Sequence, residues 1–413
     1  MTKFKQAIFI SYDGMTDPLG QSQVLPYISH LSKNGYKFHL ISCEKSQNFS
    51  KYKNNISEIC SNNNISWHPI RYSGSIPIVS SIINLQRIKK ETLKINKLHN
   101  IQIIHCRSYI PAFIGLYFKR KFGTKFVFDM RGFWADERVD GKVWNIKKAP
   151  FKQVYKFFKK KEIEFIQEAD HIISLTENAK EIIHSWEHIN NNPVNITVIP
   201  CCADLNLFNY QKVKIQSKNS FKKQLNLKDN DFVISYLGSI GTWYLLNEML
   251  DFFNELKKSK PNTKFLFISK DNPSLITEKA ANKGIKKNDI IVISAERNEL
   301  PNLLALSDIS IFFIMPTYSK RASSPTKKAE LLGMGIPIIC NSNIGDTDKI
   351  IEQQNCGLVI KQFNNQEYIN AIDKIDTITT ITKKHLFDTA NKHFSLEKGG
   401  DSYLKVYNDL LNN

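Results

Sequence analysis

The sequence predicts an α/β protein made of two Rossmann-like βαβ domains. Three observations lead there. At 413 residues the chain is too long for one ordinary hydrophobic core. Short apolar, β-branched runs alternate with segments of helical period, and the alternation restarts at residue 232 after a polar, lysine-rich stretch. The loops after the apolar runs collect glycine, hydroxyl and charged residues, at the strand ends where open parallel sheets bind ligands. The expected division is a first domain over 1–208, a junction over 209–230, a second domain over 231–394 and a terminal helix over 395–413.

Residues 7–10 form the first strand, 24–31 a helix and 36–42 the second strand. The intervening loop at 13–21, DGMTDPLGQ, is not G-x-G-x-x-G, which argues against a nicotinamide or flavin site. A plain turn before a helix is its simpler reading. Helices at 78–98 and 109–122 and strands at 101–105 and 125–129 follow. FDMRGFWADERV then gathers Asp129, Arg131, Asp136 and Glu137 beside Phe133 and Trp134, just past a strand end. Such charges either pair with each other in solvent or line a pocket, and the aromatic flanks favour the pocket.

Residues 142–161 hold eight lysines and no acid, with Phe151, Val154, Tyr155 and Phe158 on one helical face. This is a core-facing amphipathic helix with a solvated lysine side, or one whose lysines and Phe157 rest on anionic lipid. A strand at 171–175, a Thr176-capped helix and a strand at 196–200 close the first domain. Strands of the second domain are expected at 232–237, 264–268, 290–293 and 309–314, and residues 403–411 form a helix with an apolar face.

The densest chemistry lies at 323–346, SSPTKKAELLGMGIPIICNSNIGD. Ser324 is placed as an N-cap, Pro325 suits the first helical position, Gly333 and Gly335 end the helix, and 336–339 is a strand. A helix start presents backbone N–H groups and the positive dipole end, which suits an anion. Lys327 adds a mobile charge, and Glu330 lies one turn deeper on the same face. A phosphate at the mouth and a vicinal diol beyond it would fit; an ordinary capped helix with a solvated Lys–Glu pair is the plain alternative. Asp346-Thr347-Asp348 matches D-x-D, but it precedes a helical stretch at 349–353, so Asp346 is expected as an N-cap and no metal is assigned.

SSPTKKAELLGMGIPII resembles the donor-site signature of GT-B glycosyltransferases of family 4, the large retaining family of bacterial polysaccharide enzymes. SYDGMTDPLGQSQVLPYISHLSKNGYKFHLIS resembles the start of many members, and CCADLNLF with the preceding Ile-Pro resembles the element closing their first domain. The resemblance runs over nearly the whole chain. It implies two Rossmann-like domains facing across a cleft, with the last helix crossing back onto the first domain. Glu330 would hold the donor ribose; Ser323, Ser324, Thr326 and Lys327, with Gly238 and Gly241 of the GSIGTWYLL loop, would hold the diphosphate. Arg297 is the candidate for the base and Lys270 a candidate helper for phosphate. The 13–21 loop, with Asp17 and Gly20, would face the reacting sugar. Asp17, Arg131 and Lys327 are the catalytic candidates.

Three departures stand out. Ala322 occupies the place of the first glutamate of E-x7-E, Arg131 stands about where many members place a histidine, and the arginine and lysine common after the first strand of the nucleotide domain are not obvious. The implied activity is a metal-independent, hexosyltransferase-like retaining transfer from a nucleotide sugar to a glycan or polyprenyl-linked acceptor, in cell-surface polysaccharide synthesis. No cofactor is implied beyond the donor, and no carboxylate pair serves as nucleophile and acid; a leaving phosphate that takes the acceptor proton would explain that. A nucleotide-sugar epimerase of the same fold and a non-catalytic nucleotide- or glycan-binding member are the rivals.

The formal net charge is +18. Part of it reflects a composition rich in Asn, Ile and Lys, and the rest suits an anionic membrane surface or phosphorylated partner. No recognised nucleic-acid motif accompanies it. Seven cysteines without C-x-x-C point to a reducing compartment. The apolar run in 1–10 is too short for a signal peptide and no window reaches about 18 apolar residues. A cytoplasmic protein, peripheral on the inner membrane face, is expected.

Overall fold

A computed structural model of the chain describes residues 4–74 and 77–412; the first three residues of the 1–10 segment lie outside them. The chain forms two compact units, Met1–Pro200 with Leu396–Asn413, and Cys201–Ser395. The first unit therefore closes at Pro200, before the stretch expected as a junction. Within that stretch Ile215–Gln224 is a helix with no buried residue, which is why its sequence shows no apolar period; it packs within the second unit on the short Leu300–Leu304 helix.

Among the described residues the first unit carries seven strands: β1 (Lys5–Ser11), β2 (Tyr36–Glu44), β3 (Ile65–Arg71), β4 (Ile103–Arg107), β5 (Lys125–Asp129), β6 (His171–Ser174) and β7 (Ile196–Val198). All pair in parallel, in the order β3-β2-β1-β4-β5-β6-β7. The central strands are buried on both faces, so they read as unbroken apolar runs such as Ala7-Ile8-Phe9-Ile10. The strand order reverses between β1 and β4, which puts a crevice at their carboxyl ends. The Leu396–Asn412 helix buries Tyr403, Val406, Tyr407 and Leu410 and packs against the Leu25–Lys33 helix.

The second unit repeats the pattern with β8 (Phe232–Leu237), β9 (Thr263–Ile268), β10 (Ile290–Ile293), β11 (Ile309–Phe312), β12 (Ile338–Asn341) and β13 (Gly357–Ile360). Its order is β10-β9-β8-β11-β12-β13, again parallel, with the reversal between β8 and β11. All seven cysteines are buried free thiols. Among the described residues no helix is long and apolar enough to cross a membrane.

Candidate functional site

The switch point of the second sheet brings together β8, β11 and the Thr326–Gly333 helix. The helix begins one residue later than expected, with Pro325 at the N-cap. Ser324 is not the cap: it is buried and its hydroxyl oxygen accepts the Cys201 N–H at 3.2 Å. Ser323 and Thr326 are half-buried beside it. The far end closes as a Schellman motif, in which Ile336 N–H donates to the Leu331 carbonyl and Gly335 N–H to that of Leu332. Gly335 takes φ +66, the left-handed conformation that this closure requires.

Lys327 is not the mobile surface charge its position in the sequence suggests. It is buried, with Nζ 3.7 Å from the Tyr244 ring centroid and 4.1 Å from that of Tyr236. Nζ has no hydrogen-bond partner among the described residues. Burial drives its pKa well below the usual lysine value, and Glu330 only partly opposes this. Gly238, at φ +108, ends β8 against it: a Cβ there would stand 3.3 Å from the ammonium nitrogen. A buried cation held on aromatic faces and lacking an acceptor is arranged to receive an anion.

Glu330 lies one turn further in, buried, with Oε1 3.0 Å from Arg297 Nη1. Burial raises its carboxyl, and Arg297 and Lys327 pull the other way. Arg297 also stands 5.1 Å over the Phe208 ring. Nothing in the local sequence ties Arg297 to a carboxylate 33 positions away. The 238–241 loop is tied down by Asp271, which accepts the Ile240 N–H at 2.5 Å and the Ser239 hydroxyl at 3.0 Å. Gly241 turns that loop at φ +34. Lys270 pairs with Glu296 at 3.1 Å on an exposed surface. Lys320, which sequence reasoning missed, is buried with Nζ 3.7 Å from the Trp243 ring centroid.

Lys328 points to the opposite side of the same helix. It is buried, 3.3 Å from the Thr347 hydroxyl and 4.5 Å over the Phe394 ring, and burial brings its pKa down to about 8. A lysine depressed in the fold costs stability in full at low pH, and the cost falls away through the window in which the unfolded chain holds a proton that the folded one has lost. Stability should therefore rise with pH from about 8 toward the ordinary lysine value of 10.5. Denaturant unfolding across that window should show the rise, and Lys328→Met should reduce its slope, Lys327 supplying the remainder; equal slopes for the two proteins would refute the assignment. Asp346 does head the following Thr347–Gln353 helix, although without a side-chain cap hydrogen bond.

In the first unit the carboxyl ends of β1, β4 and β5 place Ser11, Arg107 and Asp129 in register. Asp129 is buried: its Oδ2 stands 3.5 Å from His105 Nε2 and accepts the Tyr403 hydroxyl at 3.3 Å, and Arg131 Nη1 is 3.7 Å from its Oδ1. Burial pushes the Asp129 carboxyl up, but Arg131, His105 and Arg107 together bring it below the usual range. His105 is fully buried, which lowers its pKa, and it contacts the Tyr407 hydroxyl at 2.9 Å. Arg131 takes φ +60, an uncommon conformation for a side chain of its size.

Other expected residues have structural partners. The Asp17 carboxylate accepts from Lys45 Nζ at 2.9 Å and Asn48 Nδ2 at 2.5 Å. Gly20 packs on the loop itself, where a Cβ would stand 2.2 Å from the Gly14 carbonyl. The organiser of the 13–21 loop is Glu44, buried on β2, which accepts the Met15 and Thr16 N–H groups at 2.7 and 3.1 Å. Asp136 accepts the Tyr155 hydroxyl at 2.7 Å and Lys159 Nζ at 2.8 Å. Lys159 also bonds Glu162, fully buried and in turn held by the Tyr109 hydroxyl, so this lysine serves the interior.

Two family models match: one described as Glycosyltransferase Family 4 over residues 22–207, and one described as Glycosyl transferases group 1 over residues 217–385. No curated protein matches. Among solved structures, a glycosyltransferase from Rickettsia africae shares 17% identity at TM-score 0.71, covering 99% of each chain. A sucrose-phosphate synthase from Thermosynechococcus elongatus shares 14% at TM-score 0.72, also covering 99% of each. HepE from Anabaena, bound to UDP and glucose, shares 13% at TM-score 0.70, covering 98% of this chain and 100% of its own. At these identities the likeness is one of fold.

Proposed function

The chain belongs to family 4 of the GT-B glycosyltransferases, and on that premise we propose that it moves a sugar, with retention, from a nucleoside diphosphate sugar to a glycan or lipid-linked acceptor in cell-surface polysaccharide synthesis. The observation that carries this reading is the buried ammonium of Lys327 at the start of the Thr326–Gly333 helix, which has no hydrogen-bond partner among the described residues. The leaving diphosphate would lie on that helix start with Lys327 against its charge, which grows as the glycosidic bond breaks. Glu330, freed from or shared with Arg297, would accept from the ribose hydroxyls. The departing phosphate oxygen would take the proton of the acceptor hydroxyl, so no carboxylate pair is needed.

A panel of nucleotide sugars, incubated with and without a lipid-linked glycan acceptor and in excess chelator, tests the reading. Nucleotide release that depends on the acceptor and persists in chelator is expected. An epimerised sugar without acceptor would make the protein an isomerase, and binding without turnover a non-catalytic member.

We also propose that the protein docks on anionic lipid through residues 142–160. Lys142, Lys147, Lys148, Lys152, Lys156 and Lys160 are exposed there, and so are Val143, Ile146 and Phe157, at 56%, 41% and 47%. Each lysine near the surface contributes about 1 kcal/mol, and the apolar side chains add area. Lys159 and Lys161 do not belong to this face: the first points inward and the second pairs with Glu164 at 2.6 Å. Sedimentation with liposomes should rise with anionic lipid content and fall with salt. Exchanging Lys147, Lys148, Lys152 and Lys156 for glutamine should abolish most of it; an unchanged fraction would return this face to a solvated one.

A further inference from the structure

The carboxyl edge of the first sheet carries an aromatic pair that the donor chemistry does not use. Tyr12 follows β1 directly and Tyr72 follows β3 directly. Between them in the sheet lies β2, and the Tyr72 N–H donates to the carbonyl of its last residue, Glu44, at 2.9 Å. The two rings stand 6.0 Å apart between centroids, at 83° to each other, and so form a corner over the strand ends. Both are half-buried, so each keeps surface for a ligand. A tyrosine offers a flat apolar body with a polar tip and loses little freedom when a ligand packs on it.

The corner is held from the interior. Asn84, on the Pro77–Leu98 helix, is 0% exposed. Its Nδ2 donates to the Tyr12 hydroxyl at 3.0 Å and to the Ser73 carbonyl at 2.9 Å, and its Oδ1 accepts the Ser73 N–H at 3.1 Å. One buried amide thus fixes the tip of one ring and the backbone that follows the other. Gly74 closes the turn against Tyr72, where a Cβ would stand 2.6 Å from the ring carbon Cε1.

Charged groups surround the corner. Burial raises the Tyr72 hydroxyl above its ordinary pKa and Tyr12 adds to that, while Lys45 and Arg138 pull it down, so both cations stand close to this ring. Arg138 belongs to the Trp134–Asp140 helix after β5. In the sheet order β3 and β5 lie on opposite sides of the reversal between β1 and β4, so Tyr72 and Arg138 approach each other over the crevice. Asp13, next to Tyr12, has a half-exposed carboxylate 3.7 Å from Arg107.

We propose that Tyr12 and Tyr72 form a platform for a pyranose ring of the acceptor, its C–H face on one aromatic ring and its hydroxyls toward Asp13, Lys45 and Arg138. That the sugar is an acceptor rests on the transferase reading above; the sugar site itself does not. Asn84 is a positioning residue, which acts on the ligand only through the two tyrosines.

Saturation-transfer NMR on the full chain tests the site, with methyl β-glucoside, methyl β-galactoside and methyl N-acetyl-β-glucosaminide as probes and open-chain sorbitol as the control. At least one pyranoside should receive saturation, strongest on the protons of its C–H face, and sorbitol should not. Tyr72→Ala should weaken binding at least about tenfold, and Tyr72→Phe should hold it within about twofold, because stacking needs the ring and not the hydroxyl. If Tyr72→Ala fails to fold, Gly74→Ala displaces the ring and should weaken binding instead. With the bound pyranoside as acceptor, Tyr72→Ala and Asn84→Ala should raise the acceptor KM and leave the donor KM unchanged; a variant that is only partly unfolded loses kcat with both KM values intact. Stacking on a C–H face tolerates many sugars, so three pyranosides that bind no better than sorbitol would overturn the proposal, as would binding indifferent to Tyr72→Ala. Tyrosine-dependent sugar binding in a protein that turns over no nucleotide sugar would leave the site standing and remove the transferase reading. Turnover with an unchanged acceptor KM in Tyr72→Ala would do the reverse.

Discussion

Lys327→Met should lower kcat/KM for sugar transfer at least about a hundredfold, the range seen when one donor to a developing oxyanion is removed from a buried site. The argument is local. Nζ sits on the faces of Tyr236 and Tyr244 without a hydrogen-bond partner among the described residues, so its charge is left for the ligand. Methionine keeps the volume between the rings and removes a buried cation, so the ligand-free protein should gain rather than lose stability. Calorimetry should show the nucleoside diphosphate weakened and the bare nucleoside unaffected; equal losses for both would cancel the phosphate assignment. Because burial holds the lysine far below its usual pKa, an arriving diphosphate should raise it again. At alkaline pH, binding should therefore take up protons, visible as a heat that changes with the ionisation enthalpy of the buffer. Lys327→Met should abolish that dependence.

Lys159→Gln should destabilise the first unit by about 3–5 kcal/mol, the cost of breaking a buried ion pair from one side. Glu162 is fully buried and would keep only Tyr109, while Asp136 would lose its cation. Burial lowers the Lys159 pKa, but Glu162 and Asp136 outweigh it and hold the ammonium well above the ordinary lysine range. Urea unfolding measures the loss, and a Lys159→Met, Glu162→Leu double variant should recover most of it. If Lys159→Gln unfolds like the parent, the network contributes nothing. Tyr109 also reaches the Gly132 carbonyl at 3.3 Å, so the loop carrying Arg131 should loosen together with the network.

How far the chain could be read in advance depended on burial. The helix Tyr109–Phe122 and the strands Lys125–Asp129, Phe232–Leu237 and Ile290–Ile293 stand at the residues where the apolar pattern puts them, because each is an apolar run with sharp polar borders. The strand Ile65–Arg71 was invisible: it is an edge strand, mostly half-exposed, with His68 and Pro69 in its middle. The helix Ser46–Asn62 buries only Ile56 and Cys60, too little to set up a period. At the candidate site, residue types and spacing were legible around 323–335, but partners were not. That Arg297 meets Glu330, that Lys159 turns inward and that Asp17 serves Lys45 and Asn48 are products of long-range packing. Spacing along the chain carries no trace of them.

The helix Leu396–Asn412 supplies Tyr403 to Asp129 and Tyr407 to His105, yet it is synthesised after every strand of its own unit and after the whole second unit. A ribosome emits β1 through β7 long before these tyrosines exist. Until they arrive, the trough formed by Tyr27, Ile28, Tyr36 and Phe38 lies open, with His105 and Asp129 at its floor. The second unit, by contrast, is contiguous from Cys201 to Ser395 and can close as soon as it has emerged. Nascent chains should thus acquire a folded second unit before a finished first one, and a chain ending at Ser395 would carry an adhesive, uncovered groove on its first unit.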